Sequence, residues 1–219
     1  MKKFNKSGDL EVLENTGERI IPDEMKPTNG RYLEHIARYY FSLPYVKGKV
    51  LDIACGSGYG SQFVAKTKKK TISELVAVDN SAEVIDYALK RYNHPLIDYH
   101  VEDALDSNLV QKIGMFDTIL SFETIEHVHD ESQFVKNLFD MLNPGGMLVL
   151  STPFGQGRNE PCGSPFHYFQ LTPEEFEVLF TPYPFSEVEI YHQRGVTIEP
   201  PRNKVKYALG VAVCRKSFE

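Results

Sequence analysis

Three glycines, Gly56, Gly58 and Gly60, follow a carboxylate at Asp52 in the stretch Lys-Val-Leu-Asp-Ile-Ala-Cys-Gly-Ser-Gly-Tyr-Gly from Lys49 to Gly60. Further acids recur at Asp79, Asp103, Glu123 and Glu126, and His127 follows the last of them. Glycine lets the main chain turn tightly and lets a ligand approach it with no Cβ in the way. A carboxylate accepts paired hydrogen bonds from neighbouring hydroxyls or balances an ammonium, and such charged bonds are worth about 1.5 to 3 kcal/mol each. An imidazole among them can take a proton near neutral pH. These residue types describe a site for a hydroxyl-bearing, positively charged ligand with a proton acceptor beside it.

The elements that must hold these groups can be read in order. Residues Met1 to Lys26 are polar and irregular, and Thr16 to Pro22 reads as an extended arm suited to a lid. Apolar residues Tyr32, Leu33, Ile36, Ala37, Tyr40 and Phe41 recur at helical spacing and predict an inward-facing helix ended by Pro44. Val50, Leu51 and Ile53 form the opening strand, and the glycine turn leads from it into a helix. Strands follow at Glu74 to Val78, Ile97 to Val101, Phe116 to Phe122 and Met147 to Leu150, and the first three of these run into Asp79, Glu102-Asp103 and Glu123. Ser81 caps one helix, with Val84, Ile85, Ala88, Leu89 and Tyr92 facing inward. Asp130 with Gln133 opens another, with Phe134, Val135, Leu138, Phe139 and Leu142 inward, and Asn143-Pro144-Gly145-Gly146 stops it. A long loop rich in glycine and proline runs from Phe154 to Gln170, and Thr172-Pro173-Glu174-Glu175 starts a last helix. Val188 and Ile190, then Val205 to Val213 with alternate apolar residues, close the sheet as an antiparallel hairpin beside five parallel strands.

Composition sets the class. The chain has 219 residues, 42% hydrophobic and 25% charged, which fits a single domain over residues 1–219: an arm and helix over 1–47, a ligand-binding core over 48–153, and a loop, helix and hairpin over 154–219. No apolar run resembles a signal peptide or a membrane span, so a cytoplasmic protein without a membrane partner is expected. Cys55, Cys162 and Cys214 have no zinc-like pairing and read as reduced thiols, and no metal is expected. The formal net charge of -6, with Lys66, Lys68, Lys69 and Lys70 grouped at one helix end, argues against a nucleic-acid partner.

Ligands of open α/β sheets sit beyond the carboxyl ends of the strands. The acids there would repel a pyrophosphate, and Ser61 stands where the dinucleotide fingerprint has its third glycine. A nicotinamide-dependent oxidoreductase is therefore the less favoured alternative. S-adenosylmethionine, with a sulfonium, an ammonium, one carboxylate and no phosphate, matches the charge better.

Val50 to Gly60 resembles the first motif of class I S-adenosylmethionine-dependent methyltransferases of the small-molecule, type 11/23-like group. Val76-Ala77-Val78-Asp79 resembles the second motif, whose acid binds the ribose hydroxyls, and Glu102-Asp103-Ala104 the third, whose acid meets the adenine amino group. Phe116 to Ser121 and Leu142 to Gly146 resemble later landmarks. The resemblance covers about Gly48 to Pro153 and implies a Rossmann-like, doubly wound α/β fold with a seven-stranded, mostly parallel sheet and an antiparallel C-terminal hairpin. It implies S-adenosyl-L-methionine as cofactor, held by Asp52, Ala54, Cys55, Gly56, Ser57, Gly58, Tyr59, Asp79, Asn80, Asp103, Ala104, Phe122 and Glu123. His127 is either a catalytic base or a residue that orders the helix start. Glu123, Glu126 and His127 also look like the cluster that holds a divalent cation in some quinone-type O-methyltransferases of this fold.

Arg19, Tyr32, His35, His167 and Tyr168 are placed by position as substrate or lid residues. The favoured function is methyl transfer to a small-molecule acceptor, on oxygen. Ser121-Phe122-Glu123-Thr124 lacks the prolines that mark DNA amino-methyltransferases of the fold. A non-catalytic S-adenosylmethionine-binding regulatory module is the remaining alternative.

Overall fold

Alternation along the first strand decides the architecture. In the computed structural model, which describes Leu13 and residues 17–218, β1 (Gly48–Ile53) turns Leu51 and Ile53 to one face of the sheet and Val50 to the other, and both faces are buried. Residues 1–12 and 14–16 of the expected arm lie outside the described residues. The helices are α1 (Gly30–Ser42), α2 (Tyr59–Lys68), α3 (Ala82–Arg91), α4 (Leu109–Ile113), α5 (Glu131–Asp140) and α6 (Pro173–Val178). The remaining strands are β2 (Ile72–Asp79), β3 (Ile97–Val101), β4 (Phe116–Phe122), β5 (Leu142–Pro153), β6 (Phe185–Arg194), β7 (Thr197–Glu199) and β8 (Leu209–Lys216). Phe116, Phe134, Leu138, Phe176 and Phe180 pack on the Leu51 face, and Tyr39, Val64, Ile85, Ala88 and Tyr99 pack on the Val50 face.

The sheet order is β3-β2-β1-β4-β5-β8-β6-β7, with the first five strands parallel and the rest joined antiparallel. This is a Rossmann-like α/β sheet with the reversed C-terminal strands expected, but it has eight strands rather than seven. The additional strand, β7, is three residues long and pairs with the end of β6 inside the long connection. The final strand begins at Leu209, so Val205 and Tyr207 precede it; its core positions are buried on both faces, Ala212 and Cys214 packing on the Leu51 side and Val211 and Val213 on the Val50 side. β5 begins at Leu142 and includes the Asn-Pro-Gly-Gly run, paired to β4 across a register shift. The short helix α4 has too little periodicity to be read from sequence.

Caps match the residue types. Asn29 accepts from the Tyr32 N–H, Ser81 from that of Val84 and Asp130 from that of Gln133, while Thr172 and Glu175 form a reciprocal capping box. The Gln133 side chain donates to Asn137 instead of returning to Asp130, so the α5 cap is one-sided. The inward face of α1 also differs from the pattern: Tyr40 is 70% exposed, whereas Arg38, Tyr39 and Ser42 are buried. Likewise α3 buries Tyr87 and leaves Leu89 partly exposed.

Candidate functional site

Sheet order reverses between β1 and β4, each first strand's crossover leaving toward opposite edges, and a crevice opens at their carboxyl ends. A cavity of about 550 Å³ lies there, within the range of about 300 to 1,000 Å³ usual for small-molecule sites. Its wall includes Ala54, Cys55, Gly56, Ser57 and Tyr59 after β1, and Asp79 and Asn80 after β2. Asp103 and Ala104 after β3, and Phe122, Glu123 and His127 after β4, complete the strand-end side. Arg19, His35 and His167 also line it, whereas Asp52, Gly58, Tyr32 and Tyr168 do not.

The three glycines have separate jobs. Gly56 has φ +56°, and nothing lies within 4 Å of where its Cβ would stand, so its main chain presents an open surface to the cavity. Gly58, at φ +86°, lies where a Cβ would strike Ala88 and the Tyr99 hydroxyl. A Cβ at Gly60 would overlap the Tyr39 ring. Only the first glycine faces a ligand, while the other two let α2 approach α3 and α1.

Strand alternation also explains Asp52. It shares the Val50 face of β1 and is buried beneath α1 and α2, where Tyr39 Oη donates to it at 3.1 and 3.2 Å and Ser61 Oγ at 2.5 Å. Burial pushes its carboxyl up to about 7, against the pull of the Ser61 and Tyr39 hydrogen bonds. Asp52 therefore braces the glycine turn from behind. Asp79 closes the turn from the front: Oδ2 accepts from Gly56 N–H at 3.1 Å and Oδ1 from Ser81 N–H at 3.1 Å. Burial raises the Asp79 carboxyl, with the backbone amides and Arg19 pulling it back.

Backbone strain concentrates at the same rim. Ala54 and Glu123 have φ of +57° and +54°, and both line the cavity. A non-glycine residue held there costs about 1 to 3 kcal/mol, and such conformations cluster at functional sites. Asp103 sits in a turn of its own, its Oδ1 accepting from Leu105 N–H at 2.9 Å. Glu123 Oε1 accepts from Ser151 Oγ at 3.1 Å and stands 4.0 Å from Arg38.

Among the described residues, two buried polar atoms in the wall have no hydrogen-bond partner: Glu126 Oε1, which stands 3.9 Å from His127 Nε2, and Arg38 Nε. Burial and the adjacent Glu123 carboxylate push Glu126 well above the usual carboxylate range. Arg38 donates to Gln193 Oε1 at 2.9 Å. An open glycine surface, a paired-acceptor carboxylate at Asp79 and an unfilled guanidinium donor fit a ligand with ribose hydroxyls and a carboxylate.

The far wall is built by distant segments. Ser57 Oγ donates to Ile20 O at 2.8 Å, fixing the arm over the glycine turn and placing Glu18 and Arg19 at the cavity. His127 ends a 3-10 turn, Ile125–His127, and Tyr168 N–H donates to Glu126 O at 2.8 Å, stitching the long loop to that turn. Tyr168 itself is exposed against His129, and Tyr32 packs edge-on against Tyr59. His35 pairs through Nδ1 with the Tyr59 hydroxyl, and burial holds its imidazole well below the usual range. Glu18 and Arg38 were not singled out from sequence. A buried arginine beside Tyr39 on α1 has no local signature, because its burial comes from strands more than a hundred positions away.

Comparison with known proteins follows the geometry. Residues 51–150 match the family described as a methyltransferase domain. A probable S-adenosylmethionine-dependent methyltransferase of Mycolicibacterium smegmatis is 30% identical over 194 residues, covering 84% of this chain and 71% of that protein. Two Mycobacterium tuberculosis relatives are 31% identical, and the chain spans 63% of each. A ubiquinone biosynthesis O-methyltransferase of Xanthomonas euvesicatoria is 33% identical over 109 residues, which is 48% of this chain and 42% of that protein. The crystal structure of the N-methyltransferase NodS from Bradyrhizobium japonicum with S-adenosyl-l-homocysteine superposes with a TM-score of 0.62 at 19% identity, over 87% of this chain and 89% of that one.

Proposed function

The chain belongs to the class I S-adenosylmethionine-dependent methyltransferases, and from that membership we propose that it methylates a hydroxyl of a small-molecule acceptor. The observation that carries this reading is the placement of His127 on the cavity wall, with its Nδ1 within hydrogen-bond distance of the Phe166 carbonyl at 3.0 Å. A carbonyl only accepts, so Nδ1 holds the proton and Nε2 keeps its lone pair. The name of the Xanthomonas relative, an O-methyltransferase, is in line with oxygen as the methylated atom.

Bound S-adenosylmethionine supplies a methyl group on a sulfonium, which passes to the acceptor oxygen as the carbon–sulfur electron pair returns to sulfur. The chain's own residues align and shield. Asp79 would take the ribose hydroxyls, the Gly56 main chain and Arg38 the amino-acid end, and Asp103, Asn80 and Ala104 the adenine. Asp52, reached through Tyr39 and Ser61, supports the turn without touching the ligand. The arm and the loop over 154–170 exclude water, and His127 Nε2 takes the hydroxyl proton as the oxygen attacks.

Transfer of labelled methyl groups to a panel of hydroxyl acceptors tests the reading. His127→Ala should lower turnover by about a hundredfold while leaving S-adenosylhomocysteine affinity nearly intact. Label found only on nitrogen or carbon acceptors would remove the oxygen assignment, and loss of cofactor binding in the variant would make His127 structural.

A further inference from the structure

The arm, the turn after β4 and the long loop bring Glu18, His127 and His167 to one point of the cavity wall. One ligand-type atom of each lies within 4.8 Å of the other two. Glu18 Oε2 is 3.9 Å from His127 Nε2, and Glu18 Oε1 is 3.6 Å from His167 Nε2. The two imidazoles meet edge to face with ring centres 4.7 Å apart. We propose that Glu18, His127 and His167 form a binding site for a divalent transition cation of the Zn²⁺ type.

The donor set is two nitrogens and one carboxylate oxygen, which suits Zn²⁺ and leaves a fourth position open, the composition of a zinc site that works on a ligand rather than one that only staples a fold. On a tetrahedral ion with bonds of about 2.0 to 2.1 Å the donors stand about 3.3 Å apart. Closing the observed gaps needs the donors to draw together by about 1.5 Å or less, and Glu18 and His127 are each about one-third exposed.

Outer partners are in place. The Phe166 carbonyl holds His127 Nδ1–H and so aims Nε2 at the cluster, and Ser164 Oγ donates to Glu18 Oε1 at 2.6 Å. Gln170 Nε2 stands 3.1 Å from His167 Nδ1, a donor that would leave the neutral ring's proton on Nε2, so cation binding requires the Gln170 amide to turn over. With its oxygen turned to that nitrogen, His167 Nε2 is free to bind a cation. The set shares only His127 with the Glu123, Glu126 and His127 cluster that sequence resemblance brings forward. Glu126 is buried against Thr152, and Glu123 is drawn to Ser151 and Arg38.

A cation here deepens the proposed acceptor chemistry and, for this step alone, rests on it. The acceptor oxygen would occupy the open position, its proton leaving to water under the pull of the ion's charge before the arm and loop close, and would then attack as an alkoxide or phenolate. The His127 lone pair would then serve the cation instead of the proton.

The test uses the full chain without an affinity tag, stripped with chelator and titrated with CoCl₂ and ZnCl₂ by calorimetry and visible absorption. A single ion per chain, with the intense absorption of tetrahedral Co²⁺ and no thiolate charge-transfer band, is expected. The thiolate band matters because Cys162, whose Sγ donates to the His167 carbonyl at 3.0 Å, sits beside the cluster and would give that band if it were a ligand. Glu18→Gln and His167→Gln should each weaken the ion by about tenfold or more while circular dichroism and thermal unfolding show folded protein. No saturable binding at micromolar ion, binding retained in both folded variants, or a thiolate band would each overturn the site. A chain that binds the ion but methylates no hydroxyl acceptor would refute the acceptor reading alone.

Discussion

At the scale of single residues, two aspartates on the same face of the sheet have different work because of where they stand along their strands: Asp52 lies within β1 beneath α1 and α2, whereas Asp79 ends β2 at the cavity. Asp79 lines the cavity and spends both oxygens on backbone amides, and in the proposed site its remaining lone pairs would serve the ribose. Asp79→Ala should weaken S-adenosylhomocysteine by about tenfold or more, in calorimetry, without loss of cooperative unfolding, and unchanged affinity would remove the ribose assignment. Asp52 is buried behind the turn. Its carboxyl holds a proton up to about 7 when folded against an ordinary 3.8 when unfolded. Between those values the folded state binds more protons than the unfolded state, so this group makes stability fall as pH rises from about 4 to about 7. Denaturant midpoints of Asp52→Asn should lose that part of the slope, and an unaltered slope would show that Asp52 is ionised throughout.

At the scale of elements, the packing of α1 on α2 holds the glycine turn in shape. Tyr39 fills the space that Gly60 leaves, stacks edge-on against Phe122 at 4.9 Å and donates to Asp52, so its ring has nowhere to retreat. Gly60→Ala should therefore cost about 1 to 3 kcal/mol of stability by overpacking. Tyr39→Ala in the same chain should restore part of that loss, giving a clear interaction term in a double-mutant cycle, while strict additivity would mean that the two positions do not press on each other. This contact marks the limit of what was legible in advance. The turn, the five parallel strands, the caps at Ser81 and Thr172 and the acids at the ends of the first four strands could be read because each signal is local: a glycine spacing, an apolar run, a hydroxyl before a helix. Tyr39 and Arg38 could not, since the apolar stripe of α1 pointed to Tyr40 and Ile36. Burial of that face is decided by β1, α2 and β6, which meet α1 only in the folded chain. The three-residue β7 and the five-residue α4 are shorter than a periodicity needs to show itself.

At the scale of the whole molecule, the cavity is walled in part by two segments far apart in the chain, the arm over 17–24 and the loop over 154–170. The arm is pinned to α3 through Asp23, which accepts from Arg91 at 2.6 Å, Tyr87 at 2.9 Å and Tyr92 at 3.3 Å. It is pinned to the long loop through Ser164 and Glu18, and Ile21 is buried against Val84 and Tyr87. The Arg91 guanidinium holds the Asp23 carboxyl below its usual range, so this anchor stays charged across neutral pH. Segments held by a few side chains rather than by a sheet ladder open locally before the core does, and ligand binding suppresses such opening. Amide exchange of residues 17–24 and 154–170 should accordingly slow together when S-adenosylhomocysteine binds, while the sheet amides change little. Asp23→Ala should speed exchange of residues 17–24 in the free protein and weaken the cofactor, leaving the global unfolding midpoint nearly where it was. Equal exchange in variant and parent would mean that the buried Ile21 contacts alone hold the arm, and the Asp23 cluster would then be a surface feature with no part in closing the site.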